Sequence, residues 1–225
     1  CPDTEAWSDY MAATMKRLAV DTGIEGVRLD EFGYAKAACV SDKHAHIFAE
    51  PGHNEHMRAQ VSIYRKIRQA VDPIDPKFAM AAEHFGYDCL ARYMDWALDT
   101  DVLNNPDGIR NVPMTLSRFY FPECKTVENN TGNPMMPEYR LFNAWAVMHP
   151  AGPEIYYRTL LENGDAFDSL DVEPLVRTLR RGVYAHRFSA GAKTIYTFFN
   201  ACGHAVDGAL LPAAQAWIGK LIVDG

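Results

Sequence analysis

In the stretch GVRLDEFG, residues 26–33, an arginine and an aspartate stand two apart, followed at once by a glutamate, an aromatic and a glycine. Val27 and Leu29 read as the buried side of a strand, which puts Arg28 and Asp30 together on its other face. An arginine one layer below a carboxylate neutralises and orients it, as a carboxylate nucleophile requires. The run KFAMAAE (77–83) repeats the device with different residues. Ala79, Ala81 and Glu83 share a face there, and two small side chains beneath a terminal glutamate leave room in a less polar setting that suits a general acid. A nucleophilic carboxylate facing a proton-donating one across a cleft is the arrangement that cleaves glycosidic bonds. One such strand end alone would read as a structural ion pair or an exposed glutamate; two at successive strand ends point to chemistry.

Around this pair, Asp30 and Glu83 are the expected catalytic residues, and six others are expected to contact substrate. Arg28 orients Asp30. Glu31 is the alternative to Asp30 as working carboxylate, but strand alternation points it away from the barrel centre, which favours Asp30. Tyr34 and Phe85, just past the two strand ends, are candidate sugar platforms, and His84 can hydrogen-bond a hydroxyl. Glu123 ends the run MTLSRFYFPE (114–123) and shares a face with Phe119 and Phe121. Trp7, Trp96 and Trp145 lie on helical stripes and read as core.

A rival chemistry comes from KHAHIFAEPGHNEH, which gathers His44, His46, His53 and His56 in a short segment. An HxH pair on a barrel suggests a metal-dependent hydrolase. The pair lies in a loop well past a strand end, so the expected metal set is none and no cofactor is implied. The five cysteines at 1, 39, 89, 124 and 202 are odd in number and lack CxxC spacing, and they read as free buried thiols. A third reading is a non-catalytic carbohydrate-binding barrel, in which aromatic platforms work without the paired carboxylates.

The elements that must position these residues alternate. Trp7, Met11, Met15 and Leu18 predict a helix from about Glu5, with Thr4 as its N-cap and Gly23 as its stop. Met57, Val61, Tyr64, Ile67 and Val71 predict a second helix over about 55–71, broken by Asp72-Pro73. Further helices are expected at about 87–98, from Tyr139 through Phe142 and Ala146, and at 171–179, where Pro174 is tolerated in the first turn. Strands are expected at 25–30, 77–83, 99–105, 114–123 and 152–157. From residue 193 the pattern changes to strands joined by short turns, over 193–201, 204–212 and 216–225.

Strands alternating with helices imply βα units on a parallel sheet. No GxGxxG or GxxxxGK[ST] fingerprint occurs, so a doubly wound nucleotide fold is disfavoured. Carboxylates at strand ends followed by long loops fit a (β/α)8 barrel, whose active-site groups sit there. Four or five βα units make half a barrel. The expected fold is therefore α/β, a partial (β/α)8 TIM barrel over 1–190 followed by the beginning of a small antiparallel β-sandwich over 191–225. The chain reads as a fragment cut at both ends, since it starts at Cys1 and stops just after a strand.

The bulk composition narrows the partners. The chain has 225 residues, 48% hydrophobic and 12% aromatic, enough for a substantial core. A formal net charge of −7 argues against nucleic acid, which needs a clustered positive surface. No apolar run approaches the roughly 20 residues of a membrane-spanning helix. A carbohydrate substrate is the expected partner; oligomeric state and compartment are not legible.

GVRLDEFG resembles the Gly-x-Arg-x-Asp strand of the alpha-amylase-like retaining glycosidases. The resemblance implies a nucleophilic Asp at the end of the fourth barrel strand and an acid/base Glu ending the fifth, and Asp30 and Glu83 match those positions. A barrel followed by a small β-sandwich is similar to that family's layout. The whole chain also looks like glycosidase-like barrel proteins of bacterial polysaccharide-degrading clusters, with RRGVYAHRFSAGAKTIYTFFNA as the passage from barrel to sandwich. Two departures stand against it: Glu83 lies 53 positions after Asp30, a long interval, and no NHD motif occurs.

Overall fold

The structure, a computed structural model, describes residues 1–33, 39–47, 56–84, 88–99, 117–129, 146–148 and 154–212. The chain divides into two compact units, one of residues Cys1–Asp99 with Cys124–Thr126 and the other of Thr100–Glu123 with Val127–Gly225.

The first unit opens with helix α1, Glu5–Thr22, which starts and stops where its caps dictate. Thr4 Oγ1 accepts a hydrogen bond from the Trp7 amide, and Gly23 takes a left-handed φ of 66° with its amide on the Ala19 carbonyl. Its buried residues are Ser8 and Ala12, while Trp7 is 41% exposed and stacks on Tyr10 instead of entering the core. Strand β1, Gly26–Leu29, follows, then helix α2, His56–Val71. Ala59, Ile63, Tyr64, Ile67 and Val71 are all fully buried on α2, a period that matches the expected helix, although Met57 is exposed. Helix α2 is tied to α1 by Lys66, whose ammonium meets the Asp9 carboxylate at 2.7 Å and also pairs with Glu5.

Strand β2, Ala79–Ala82, runs parallel to β1 with Gly26 opposite Ala79 and Leu29 opposite Ala82. Residues 88–98 form the short helix α3, Asp88–Ala91, and then strand β3, Trp96–Asp99, in place of the single helix expected there. Leu90, Met94 and Ala97 fit helical spacing, but a short apolar run buried on both faces carries no periodicity of its own. Strand β3 pairs parallel with β2, Ala81 opposite Trp96. Arg68 of α2 fastens this layer: its guanidinium donates to the carbonyls of Phe78 and Tyr93 and to the Asp95 carboxylate at 2.6 Å. Asp95 in turn accepts from the Met80 amide.

Helix α4, Ser117–Tyr120, is one turn where a β-prone run predicted a strand, and Pro122 prevents its extension. Strand β4, Lys125–Asn129, begins with a hydrogen bond donated by the Lys125 amide to the Asp95 carbonyl and pairs parallel with β5, Ala146–Met148. Ala146 is thus in a strand, not a helix; Tyr139 and Phe142 lie outside the described residues. The parallel strands follow the order β1-β2-β3-β4-β5, and the division between the two units falls inside β4.

In the second unit, residues 154–162 form helix α5, Glu154–Glu162, where a strand was expected at 152–157. Ile155, Tyr156 and Tyr157 favour strands locally, and the helix-forming run that follows overrides them. Helix α6, Gly164–Phe167, comes next, then an antiparallel sheet of β6, Asp171–Glu173, β7, Val183–Ala190, and β8, Lys193–Asn200. The helix expected at 171–179 is absent: Val172 pairs with Phe188 across β6–β7, Pro174 ends the strand, and Leu175 takes a φ of 49°. Phe167 meets Phe188 edge to face on one side of the sheet, packed with Val172 and Ile195, while Val176, Ala185 and Leu211 fill the other. Residues 204–212 form no strand, and 216–225 lie outside the described residues. The position at which a second domain was expected to start, 191, is the turn of the β7–β8 hairpin, so the antiparallel sheet begins earlier, at β6.

The fold is mixed α/β, with a parallel sheet and a three-stranded antiparallel sheet. Among the described residues no helix is long and apolar enough to cross a membrane.

Candidate functional site

Parallel pairing puts the C-terminal ends of neighbouring strands side by side. Because Leu29 stands opposite Ala82, the next residues on the two chains are Asp30 and Glu83. One carboxylate oxygen from each of Asp30, Glu31 and Glu83 lies within 4.8 Å of the other two. The expected juxtaposition of Asp30 and Glu83 is therefore present. Arg28 NH2 meets Asp30 Oδ1 at 2.8 Å, with the two side chains 35% and 67% exposed. A pair that open to water contributes about 0–1 kcal/mol to stability, so folding gives little reason for it.

Glu31 departs from expectation. Strand β1 ends at Leu29, and Glu31 takes a left-handed φ of 61°, which turns the chain out of alternation. Its carboxylate consequently joins the other two instead of pointing away. Its amide donates to Glu83 Oε2 at 2.8 Å, so the backbone after one carboxylate holds the other. Phe32 packs edge on against Tyr64, and its carbonyl accepts from the His84 amide. Gly33 donates its amide to the buried Gln60 Oε1 at 2.9 Å. A Cβ at Gly33 would stand 1.8 Å from the His84 carbonyl oxygen, and its φ is 98°, so both space and backbone require glycine. Tyr64, beneath, donates to the Ala81 carbonyl at 2.8 Å, and burial pushes its phenol well above the usual range.

The remaining candidates divide. His84 directly follows Glu83 and its Nε2 lies 4.0 Å from Glu83 Oε1. Tyr34, Phe85 and His53 lie outside the described residues. Glu123 falls in the turn before β4, at a strand start, so the strand-end argument that singled it out does not hold. His56 opens α2 and its Nδ1 lies 3.2 Å from Gln60 Nε2. His44 and His46 group with Cys1 and Cys39, and the other cluster contains no histidine. The Cys39 thiol is lowered to about 7, chiefly by the His46 imidazole beside it, with His44 Nε2 also at 3.4 Å.

Sequence reasoning missed Phe32, Gly33 and Gln60 as the parts that fix the strand-end turn; the glycine two positions after the carboxylate pair was the available signal.

No family model matches the chain, and no curated protein matches it. A solved structure does: the chain is similar in fold to the GH36 alpha-galactosidase AgaA from Geobacillus stearothermophilus, a variant crystallised with stachyose. The two share 11% identity at a TM-score of 0.53, over 100% of this chain and 33% of that enzyme, so this chain spans about a third of its length. What the chain has in common with that enzyme is its fold.

Proposed function

We propose that the chain carries the catalytic centre of a glycoside hydrolase that acts on an oligo- or polysaccharide through a retaining two-carboxylate mechanism. The observation that carries this reading is the meeting of Asp30 and Glu83 at adjacent parallel strand ends, with oxygens within 4.8 Å. Retaining pairs stand about 5–5.5 Å apart and inverting pairs about 6.5–9.5 Å. The retaining case is the one proposed, with Asp30 as the nucleophile.

In this reading Asp30 attacks the anomeric carbon while Glu83 protonates the departing glycosidic oxygen. Glu83 then takes a proton from water as the glycosyl–Asp30 ester is hydrolysed. Arg28 holds the Asp30 carboxylate in line, and Glu31 and His84 contact the sugar, with Tyr34 and Phe85 as its platforms. The strands belong to a partial (β/α)8 barrel, and β6–β8 open the β-rich domain after it. The substrate class follows from the carboxylate pair and is in keeping with the fold likeness to an alpha-galactosidase.

The test uses aryl α- and β-glycosides and an activated 2-deoxy-2-fluoro glycosyl fluoride. Asp30→Asn is expected to abolish turnover and labelling, and peptide mapping of the wild type to find the label on Asp30. Glu83→Gln should lower turnover by about 10²- to 10⁴-fold, least for substrates with good leaving groups. Wild-type rates in either variant would remove that residue from the mechanism.

A further inference from the structure

We propose that Cys1, Cys39, His44 and His46 bind a zinc ion, or another thiophilic divalent cation, at a structural site separate from the carboxylate cluster. One ligand atom from each of the four, two sulfurs and two imidazole nitrogens, lies within 4.8 Å of the other three. Tetrahedral zinc bound by two sulfurs and two nitrogens needs ligand separations of roughly 3.3–3.8 Å. The four groups therefore have only about 1 Å to close. Cys39 Sγ and His44 Nε2 are already 3.4 Å apart, and the rings of His44 and His46 lie side by side with centroids at 4.8 Å.

A second observation points to a ligand. His46 Nε2 is buried and has no hydrogen-bond partner. A desolvated ring nitrogen left so is costly, and ligation would satisfy it. Neither cysteine is in a disulfide. Two thiolates and two neutral imidazoles would also neutralise a divalent cation.

The backbone has brought these residues together from distant parts of the chain. The Ile47 amide donates to the Asp3 carbonyl at 3.1 Å, which fastens the end of the 39–47 segment beside Cys1. Thr4 Oγ1 donates to the Cys1 carbonyl, and Lys43 donates its amide to Ser41 Oγ, which curls the chain between Cys39 and His44. Four protein ligands leave no position open for substrate, so the site holds structure. It would pin the segment that follows the Asp30–Gly33 turn in sequence onto the N-terminal end of α1.

The experiment is metal analysis and cobalt spectroscopy on the tag-free, reduced protein. One equivalent of zinc is expected to survive dialysis. Cobalt in its place should give thiolate charge-transfer bands and intense tetrahedral d–d bands. Cys39→Ser and His46→Ala should each weaken zinc binding by more than about 100-fold, beyond the 10- to 100-fold typical of outer-shell partners. Cys89→Ser should change nothing. Asp30→Asn should leave the zinc content intact, which separates this site from the glycosidase reading. The proposal is overturned by a wild-type protein that keeps no zinc and gives an octahedral cobalt spectrum. It is equally overturned by uptake that survives both ligand variants, or by a Cys1–Cys39 disulfide whose reduction restores no metal binding. The wild-type spectrum decides the matter even if a variant fails to fold.

Discussion

Two arginines in this protein face acidic residues from strands, and they do so differently. Arg187 on β7 lies across from β6, where it donates to Glu173 Oε2 at 3.0 Å and Asp171 Oδ1 at 3.1 Å, with Ser189 Oγ on its third arm at 2.6 Å. Each arm of that guanidinium has a partner, and the result fastens one strand to the next. Arg28 on β1 meets an aspartate two positions along, just past the end of its own strand, so the contact joins nothing that the backbone has not already joined. Asp30 stays 67% exposed, beside two more carboxylates. An ion pair that crosses strands is explained by the sheet. One that joins a strand to the residue just past its own end, and leaves the carboxylate open, is not explained by the sheet.

The contrast can be broken, starting with the largest expected effect. Gly33→Ala drives a methyl group into the His84 carbonyl and forces a left-handed backbone on alanine. We expect a loss of about 2–4 kcal/mol in urea unfolding, from overpacking and backbone strain together, with activity lost alongside. A variant of native stability would mean that the turn is not held as described.

Next come the two arginines compared. Arg28→Met should cut glycoside turnover by about tenfold or more while the melting temperature stays nearly constant, as expected for an exposed pair. Arg187→Met should do the reverse, with about 1 kcal/mol of stability lost and turnover kept. Equal behaviour of the two variants in both assays would erase the distinction.

Smallest is Tyr64→Phe, which removes the hydrogen bond to Ala81 at a cost of about 1 kcal/mol. Burial raises the Tyr64 phenol above its unfolded value of about 10. The folded chain therefore keeps a proton that the unfolded chain releases, and stability falls as pH rises past about 10. In the variant that part of the alkaline loss should vanish, so the stability gap to the wild type should narrow above pH 10; a constant gap would count against it.

Much of this was legible in the residues. The first two helices are long enough for their spacing and caps to show, and Thr4 and Gly23 mark both ends of α1. Alternation along two short strands was enough to foresee that Asp30 and Glu83 meet. It failed one residue further on, at Glu31, because a positive φ on a non-glycine residue leaves no signature in composition. Segments such as 96–98, 117–120, 146–148 and 171–173 were misread because they are short enough that partners elsewhere decide their form, while at 154–162 the helix-forming residues after Tyr157 outweigh the strand-favouring ones before. Of the cysteine–histidine cluster only the HxH pair His44 and His46 was legible; the cysteines were hidden, since Cys39 stands at no common ligand spacing from that pair and Cys1 joins them only once the 39–47 segment has folded back.

The turn after β1 has a consequence for change in this protein. The carboxylates are set by main-chain bonds, from the Glu31 amide to Glu83 and from the His84 amide to the Phe32 carbonyl, with Gly33 closing the latch. Gly33 is itself held by its amide on Gln60 Oε1, and Phe32 by the ring of Tyr64, so the latch rests on α2 as well as on the two strand ends. Insertions between Gly33 and α2, or past His84, are therefore expected to leave the spacing of the pair intact while Gln60 and Tyr64 keep their places. In the proposed glycosidase the latch separates the carboxylates that react from the loops that choose what reacts.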